Sequence, residues 1–127
     1  MKLDLIIGAI IVLVLISIAG LVVMNMLTPK ASNEKIADFA KCLTSKGAKM
    51  YGTFWCSHCK SQKELFGDAF QYITYVECDL GGGKTAQECI ENNIDGYPRW
   101  IINGKQYAGE QTFQELAQAS GCELKTE

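Results

Sequence analysis

The segment LDLIIGAIIVLVLISIAGLVVMNML, residues 3–27, constrains this chain more than any other. Its one charge, Asp4, lies at the edge. About 20 consecutive apolar residues suffice to cross a bilayer as a helix. The β-branched residues do not argue for a strand, because no turn residue punctuates the run. A secretory signal peptide is the competing reading, with SIAG at 17–20 as a weak cleavage site. Signal peptides carry only about 7–15 apolar residues before cleavage. The run continues past SIAG, so the expectation is a retained anchor over 1–27. A short linker, TPKASN (28–33), and one domain at 34–127 follow. Lys2 lies on one side of the run and Lys30 and Lys35 on the other, so loop charge does not orient it. Residues 28–127 carry 11 Lys and Arg against 13 Asp and Glu, with no basic stripe, which argues against nucleic acid as a partner.

All six cysteines fall after the apolar run. An even, dense cysteine content beside a membrane-directing segment points to an oxidising compartment. The expectation is therefore a single-pass membrane protein whose domain lies on the extracytoplasmic side.

Along that domain, NEKIADFAKCLTSK (33–46) places Ile36, Phe39, Ala40 and Leu43 on one helical face, with Asn33 as N-cap and Gly47 just past the end. AKMYGTFW (48–55) reads as a buried strand. Residues 56–70 read as a helix with Leu65, Phe66, Ala69 and Phe70 inward. YITYVECD (72–79) is a second strand. TAQE (85–88) and TFQE (112–115) read as capping boxes opening two further helices, the last ending near Gly121. RWIINGKQYAG (99–109) is a hairpin turning at Asn103-Gly104. This order predicts an α/β domain with a central mixed sheet covered on both faces.

GTFWCSHCKSQ (52–62) carries the chemistry. Cys56 falls where a strand gives way to a helix, and free N–H groups and the positive end of the helix dipole there favour a thiolate. Cys59, one turn on, can close a disulfide with it or resolve a mixed one. His58, the only histidine, would stabilise the Cys56 thiolate as a cation or donor and make the disulfide more oxidising. Two blander readings compete. C-x-x-C is half a zinc site, but Cys78 and Cys89 are eleven apart, unlike a second half. A structural staple across C-x-x-C closes almost no loop. In GYPRW (96–100), Pro98 belongs at the first residue of a strand. A cis Tyr97–Pro98 bond would present backbone groups to an extended substrate beside Cys56. Trp55 and Tyr97 adjoin these motifs and are candidates for substrate contact, although most such aromatics are core.

W-C-x-x-C after a strand, followed by a proline before a hairpin, resembles the thioredoxin fold and its thiol oxidoreductases. KGAKMYGTFWCSHCKSQKELFG (46–67), YVEC (75–78), GYPRWIINGKQYAGE (96–110) and ELAQASG (115–121) are similar to the thioredoxin-like domain fused to vitamin K epoxide reductase homologues of bacteria and plants. The resemblance implies that Cys56 attacks, Cys59 resolves and Pro98 is the cis-proline. It implies oxidation of cysteines in exported proteins, with no cofactor and no metal on this chain. A quinone-linked vitamin K epoxide reductase-like membrane protein would reoxidise the pair. The family's quinone-binding helices are replaced here by one anchor, so that oxidant must be a partner. Met50 stands where thioredoxins commonly have a buried acid, which leaves Cys59 without an obvious proton acceptor. Arg99 follows the proline where Thr is usual.

Cys78 and Cys89 also match cysteine positions of that family. A bond between them would pin a loop near the active end, and a second redox pair relaying electrons to Cys59 is the alternative. In a thioredoxin-like fold the helices carrying Cys42 and Cys122 end at the opposite pole, which suggests a Cys42–Cys122 bond. Either cysteine could instead stay free or pair with another chain. Two other functions stand against oxidation of exported proteins: reduction or isomerisation on the same fold, and a redox-inert metal-binding module.

Overall fold

The computed structural model describes residues 1–27 and 30–125, with side chains described outside 25–32. The chain divides into two compact units, Met1–Ser32 and Asn33–Glu127. In the first, Lys2–Leu27 forms helix α1, with the side chains of residues 1–24 all exposed. Its Lys2–Met24 stretch is long and apolar enough to cross a membrane.

The second unit is built on a four-stranded sheet in the order β2-β1-β3-β4, with β1 at Lys49–Gly52, β2 at Thr74–Glu77, β3 at Arg99–Ile102 and β4 at Lys105–Ala108. β1 runs parallel to β2 and antiparallel to β3, and β3 and β4 form the hairpin. Asn103 and Gly104 turn that hairpin, both at positive φ (51° and 75°). Helices α2 (Lys30–Ser45), α3 (Ser57–Phe66) and α5 (Phe113–Ser120) supply core residues to one face. Phe39, Leu43, Met50, Phe66, Trp100, Ile102 and Leu116 are buried together there. Strand alternation turns Tyr51 to the other face, where it packs with Cys78 and with Cys89 of α4 (Gln87–Glu91). Helices thus cover both faces of a mixed sheet, and the architecture is thioredoxin-like.

Several local expectations are corrected. α2 begins at Lys30, so Asn33 lies inside it and is not its N-cap, residues 30–33 are helical, and 28–29 lie outside the described residues. The strand foreseen to 55 stops at Gly52. The helix over 56–70 breaks at Gly67 (φ 53°), a conformation that disfavours a Cβ, and continues as a 3-10 turn over Gly67–Tyr72. Within α3, Leu65 faces solvent and Gln62 is buried instead. Gln62 Oε1 accepts from Trp100 Nε1 (3.2 Å) and Gln111 N (2.6 Å), so a polar side chain ties three elements together inside the core. TAQE is not a capping box. Thr85 instead bridges Asp79 in a short antiparallel pairing, and α4 starts after Ala86 without a side-chain cap. The Thr112–Glu115 box does form, and α5 ends at Gly121.

Candidate active site

The site is assembled where central strand β1 runs out. Beyond Gly52, the chain turns through Thr53–Trp55 and enters α3 with Cys56 as its N-cap, in extended geometry (φ −78°, ψ 116°). Cys56 Sγ accepts the backbone N–H of Cys59 at 3.1 Å, the place a Ser or Asp oxygen fills in an ordinary cap. A sulfur so placed stands at the N-terminus of α3, on the side from which a substrate sulfur approaches.

Cys59, also a free thiol, packs one turn further in. It is 1% exposed against 9% for Cys56, so Cys56 is the one an incoming sulfur meets first. Burial, and then its hydrogen bond with Cys56, push the Cys59 thiol up to about 12; a Thr53 backbone hydrogen bond and Lys63 act the other way. The sulfur fits because residue 52 is glycine. A Cβ there would lie 2.8 Å from Cys59 Sγ and 3.1 Å from Tyr75 Oη.

His58 is exposed, and its Nδ1 lies 2.6 Å from Glu110 Oε1. The structure therefore gives the imidazole a carboxylate partner that the sequence reading lacked, from the segment after β4. Trp55, 61% exposed, donates from Nε1 to Asp79 Oδ2 at 2.6 Å. That bond, with the Gly81 N–H, holds the Asp79 carboxyl below its usual value. Trp55 also meets Tyr97 edge-to-face, centroids 6.1 Å apart, which brings the loop before α3 against the loop carrying Pro98. Phe54 beside it is 72% exposed, so the rim of the site is aromatic and open. Tyr97–Pro98 is cis, Pro98 is buried at the head of β3, and its carbonyl accepts Gly109 N at 2.9 Å. Arg99 turns back onto the Asp95 carboxylate.

The other four cysteines form Cys42–Cys122 and Cys78–Cys89 disulfides. Among the described residues, no three His, Cys, Asp or Glu side chains gather as a metal site.

Beneath Cys59 lies a pair that sequence reasoning missed. Tyr75 Oη donates to Glu77 Oε2 at 2.9 Å, and Glu77 Oε1 accepts the backbone N–H of Phe54 (3.2 Å) and Asp79 (3.1 Å). Lys63 Nζ sits 3.7 Å above the Tyr75 ring. Burial first, then Glu77, raises the Tyr75 phenol well above its ordinary value. The available signal was the i, i+2 spacing on a strand, which puts Tyr75 and Glu77 on one face.

No family model matches the chain. The chain is similar to the thiol-disulfide oxidoreductase LTO1 of Arabidopsis thaliana, 49% identical over 90 residues that make up 67% of this chain and 24% of that protein. It spans about a quarter of the length of that relative.

Proposed function

We propose that this protein is a membrane-anchored thiol–disulfide oxidoreductase that oxidises cysteine pairs in exported proteins. The observation that carries the reading is Cys56 as the N-cap of α3, its sulfur accepting the Cys59 N–H, with a second free thiol buried one turn on. The Arabidopsis relative is named a thiol-disulfide oxidoreductase, which supports the oxidoreductase part of this reading. In this reading α1 is the anchor, and the domain faces the extracytoplasmic side, where its disulfides persist.

The cycle starts from a Cys56–Cys59 disulfide. A substrate thiolate attacks Cys56 Sγ, the S–S bond breaks, and Cys59 leaves with the electron pair. The substrate's second thiolate then attacks its own sulfur in the mixed disulfide. The substrate leaves oxidised, and the pair holds two electrons. A quinone-linked membrane protein of the vitamin K epoxide reductase type takes those electrons and restores the disulfide. Pro98, Trp55 and Tyr97 line the place where the substrate segment lies beside Cys56, and His58 acts on the thiolate from the exposed side.

A second reading, reduction or isomerisation, is favoured by one observation. The Glu110 carboxylate beside His58 offsets the positive charge that would stabilise the Cys56 thiolate. The reduction potential of the pair, measured on the full chain in detergent against glutathione buffers, separates the two. A value of about −120 to −200 mV fits a disulfide donor, and one near about −270 mV, like thioredoxin, overturns the oxidase reading in favour of the reductase.

A further inference from the structure

With Met50 wholly buried among apolar side chains, β1 offers Cys59 no acid. The adjacent strand does. A Cβ placed on Gly52 would touch both Cys59 Sγ and Tyr75 Oη, so sulfur and phenol both border that glycine, near enough for one bridging water to join them. The phenol already donates to Glu77, whose carboxylate is fixed by two backbone N–H groups. A thiol, a phenol and an anchored carboxylate thus stand in series from the protein interior towards the mouth of the site.

We propose that Tyr75 and Glu77 are the proton path of Cys59, an inference that rests on the redox reading of the Cys56–Cys59 pair. When Cys59 attacks a mixed disulfide at Cys56, its S–H proton passes to Tyr75 Oη while the Tyr75 proton passes to the Glu77 carboxylate. The Cys59 sulfur forms the new S–S bond with Cys56, and the partner thiolate leaves with the electron pair of the broken bond. When Cys59 is instead the leaving group, the same protons run back and Cys59 ends as a thiol. The other groups facing the path are few. Lys63 of α3 lies over the Tyr75 ring, Cys56 and Cys59 lie beside it, and Tyr97 on the loop before β3 faces Glu77 and Cys59. The very high proton affinity of the buried thiol explains why it needs an acceptor at neutral pH.

The test is single-turnover reaction of the reduced full chain, in detergent, with one equivalent of Ellman's reagent. Attack by Cys56 releases the first coloured thiolate, and attack by Cys59 on the resulting mixed disulfide releases the second. Tyr75→Phe keeps the ring and its contact with Lys63 but removes the relay atom. The expected result is a second phase slowed about tenfold or more near neutral pH, a first phase unchanged, and a deficit that closes as pH rises and hydroxide takes over. Glu77→Gln should slow the same phase. If Glu77→Gln fails to fold, Tyr75→Phe decides alone. A second phase at the parent rate in Tyr75→Phe overturns the proposal. So does a slowing in Tyr75→Phe that is the same at every pH, or that strikes both phases equally, since displaced packing would produce either. Absence of a second phase in the parent chain would instead overturn the redox reading itself.

Discussion

Replacing Gly52 with alanine tests whether Cys59 is held where the geometry puts it. The new Cβ would stand 2.8 Å from Cys59 Sγ and 3.1 Å from both Cε2 and Oη of Tyr75. Ordinary non-bonded contacts begin near about 3.5 Å, so the sulfur must yield by about 0.7 Å. Tyr75 crowds the same Cβ, which limits the room it has to move. Overpacking of this kind costs about 1–3 kcal/mol. Alanine returns about 0.4–1 kcal/mol by restricting the unfolded chain. The net expectation is a loss of about 1–2 kcal/mol. Urea unfolding of the reduced chain, followed by the emission of buried Trp100, reads it directly. Gly96→Ala is the internal control, since its Cβ would meet only Arg99 Nη2 at 3.6 Å, an ordinary contact. It should leave stability unchanged or raise it by up to about 1 kcal/mol, the gain from restricting the unfolded chain. If Gly52→Ala is as stable as the parent and matches the Gly96 control, the sulfur is not packed against β1 and the account of Cys59 fails.

The two disulfides should differ in weight. Removing Cys42–Cys122, whose cysteines lie 80 apart, should cost about 4.5 kcal/mol on the chain-entropy account, and removing Cys78–Cys89, eleven apart, about 3 kcal/mol. Paired Cys→Ala variants compared by urea midpoint check the order, and a larger loss at Cys78–Cys89 would contradict it. On the α4 side, the Glu88 carboxyl is held below its usual value by Lys49 Nζ (2.7 Å) and then by Tyr51 Oη (3.0 Å). A depressed carboxyl stabilises the fold above its unfolded pKa and loses that contribution as pH falls through its folded pKa. The parent should therefore lose more stability than Glu88→Gln between about pH 6 and pH 3, and parallel pH profiles for the two would remove the pair from the account.

The hairpin and the last helix were legible because their signals are local: Asn103-Gly104 at the turn and a capping box at 112–115. The TAQE string failed for a tertiary reason. Thr85 pairs with Asp79 before any helix can begin there, and the Cys78–Cys89 bond holds that loop against the sheet. Leu65 and Gln62 exchanged roles because a buried glutamine is set by partners on two distant segments, Trp100 and Gln111, which no helical periodicity reveals. The placement of Cys56 at the start of α3 and of a cis Pro98 at the head of β3 could be read from spacing and resemblance. Glu110 beside His58 could not, since the two lie 52 residues apart.

The missing acid at Met50 follows from the same packing. Met50 pairs across the sheet with Trp100, and both are fully buried in one apolar layer with Phe66 and Leu116, so a carboxyl there would have to be buried without a partner. The end of β2 suits a carboxylate better, because Glu77 finds two backbone donors and a phenol within hydrogen-bonding distance. One of those donors, the N–H of Phe54, belongs to the loop that presents Cys56. Glu77 therefore does two things, fixing that loop and receiving a proton, whereas Tyr75 does only the second. The two substitutions should consequently part company. Glu77→Gln should disturb the attack by Cys56 as well as the step at Cys59, while Tyr75→Phe should touch the Cys59 step alone. That asymmetry distinguishes a proton path from a general loosening of the site.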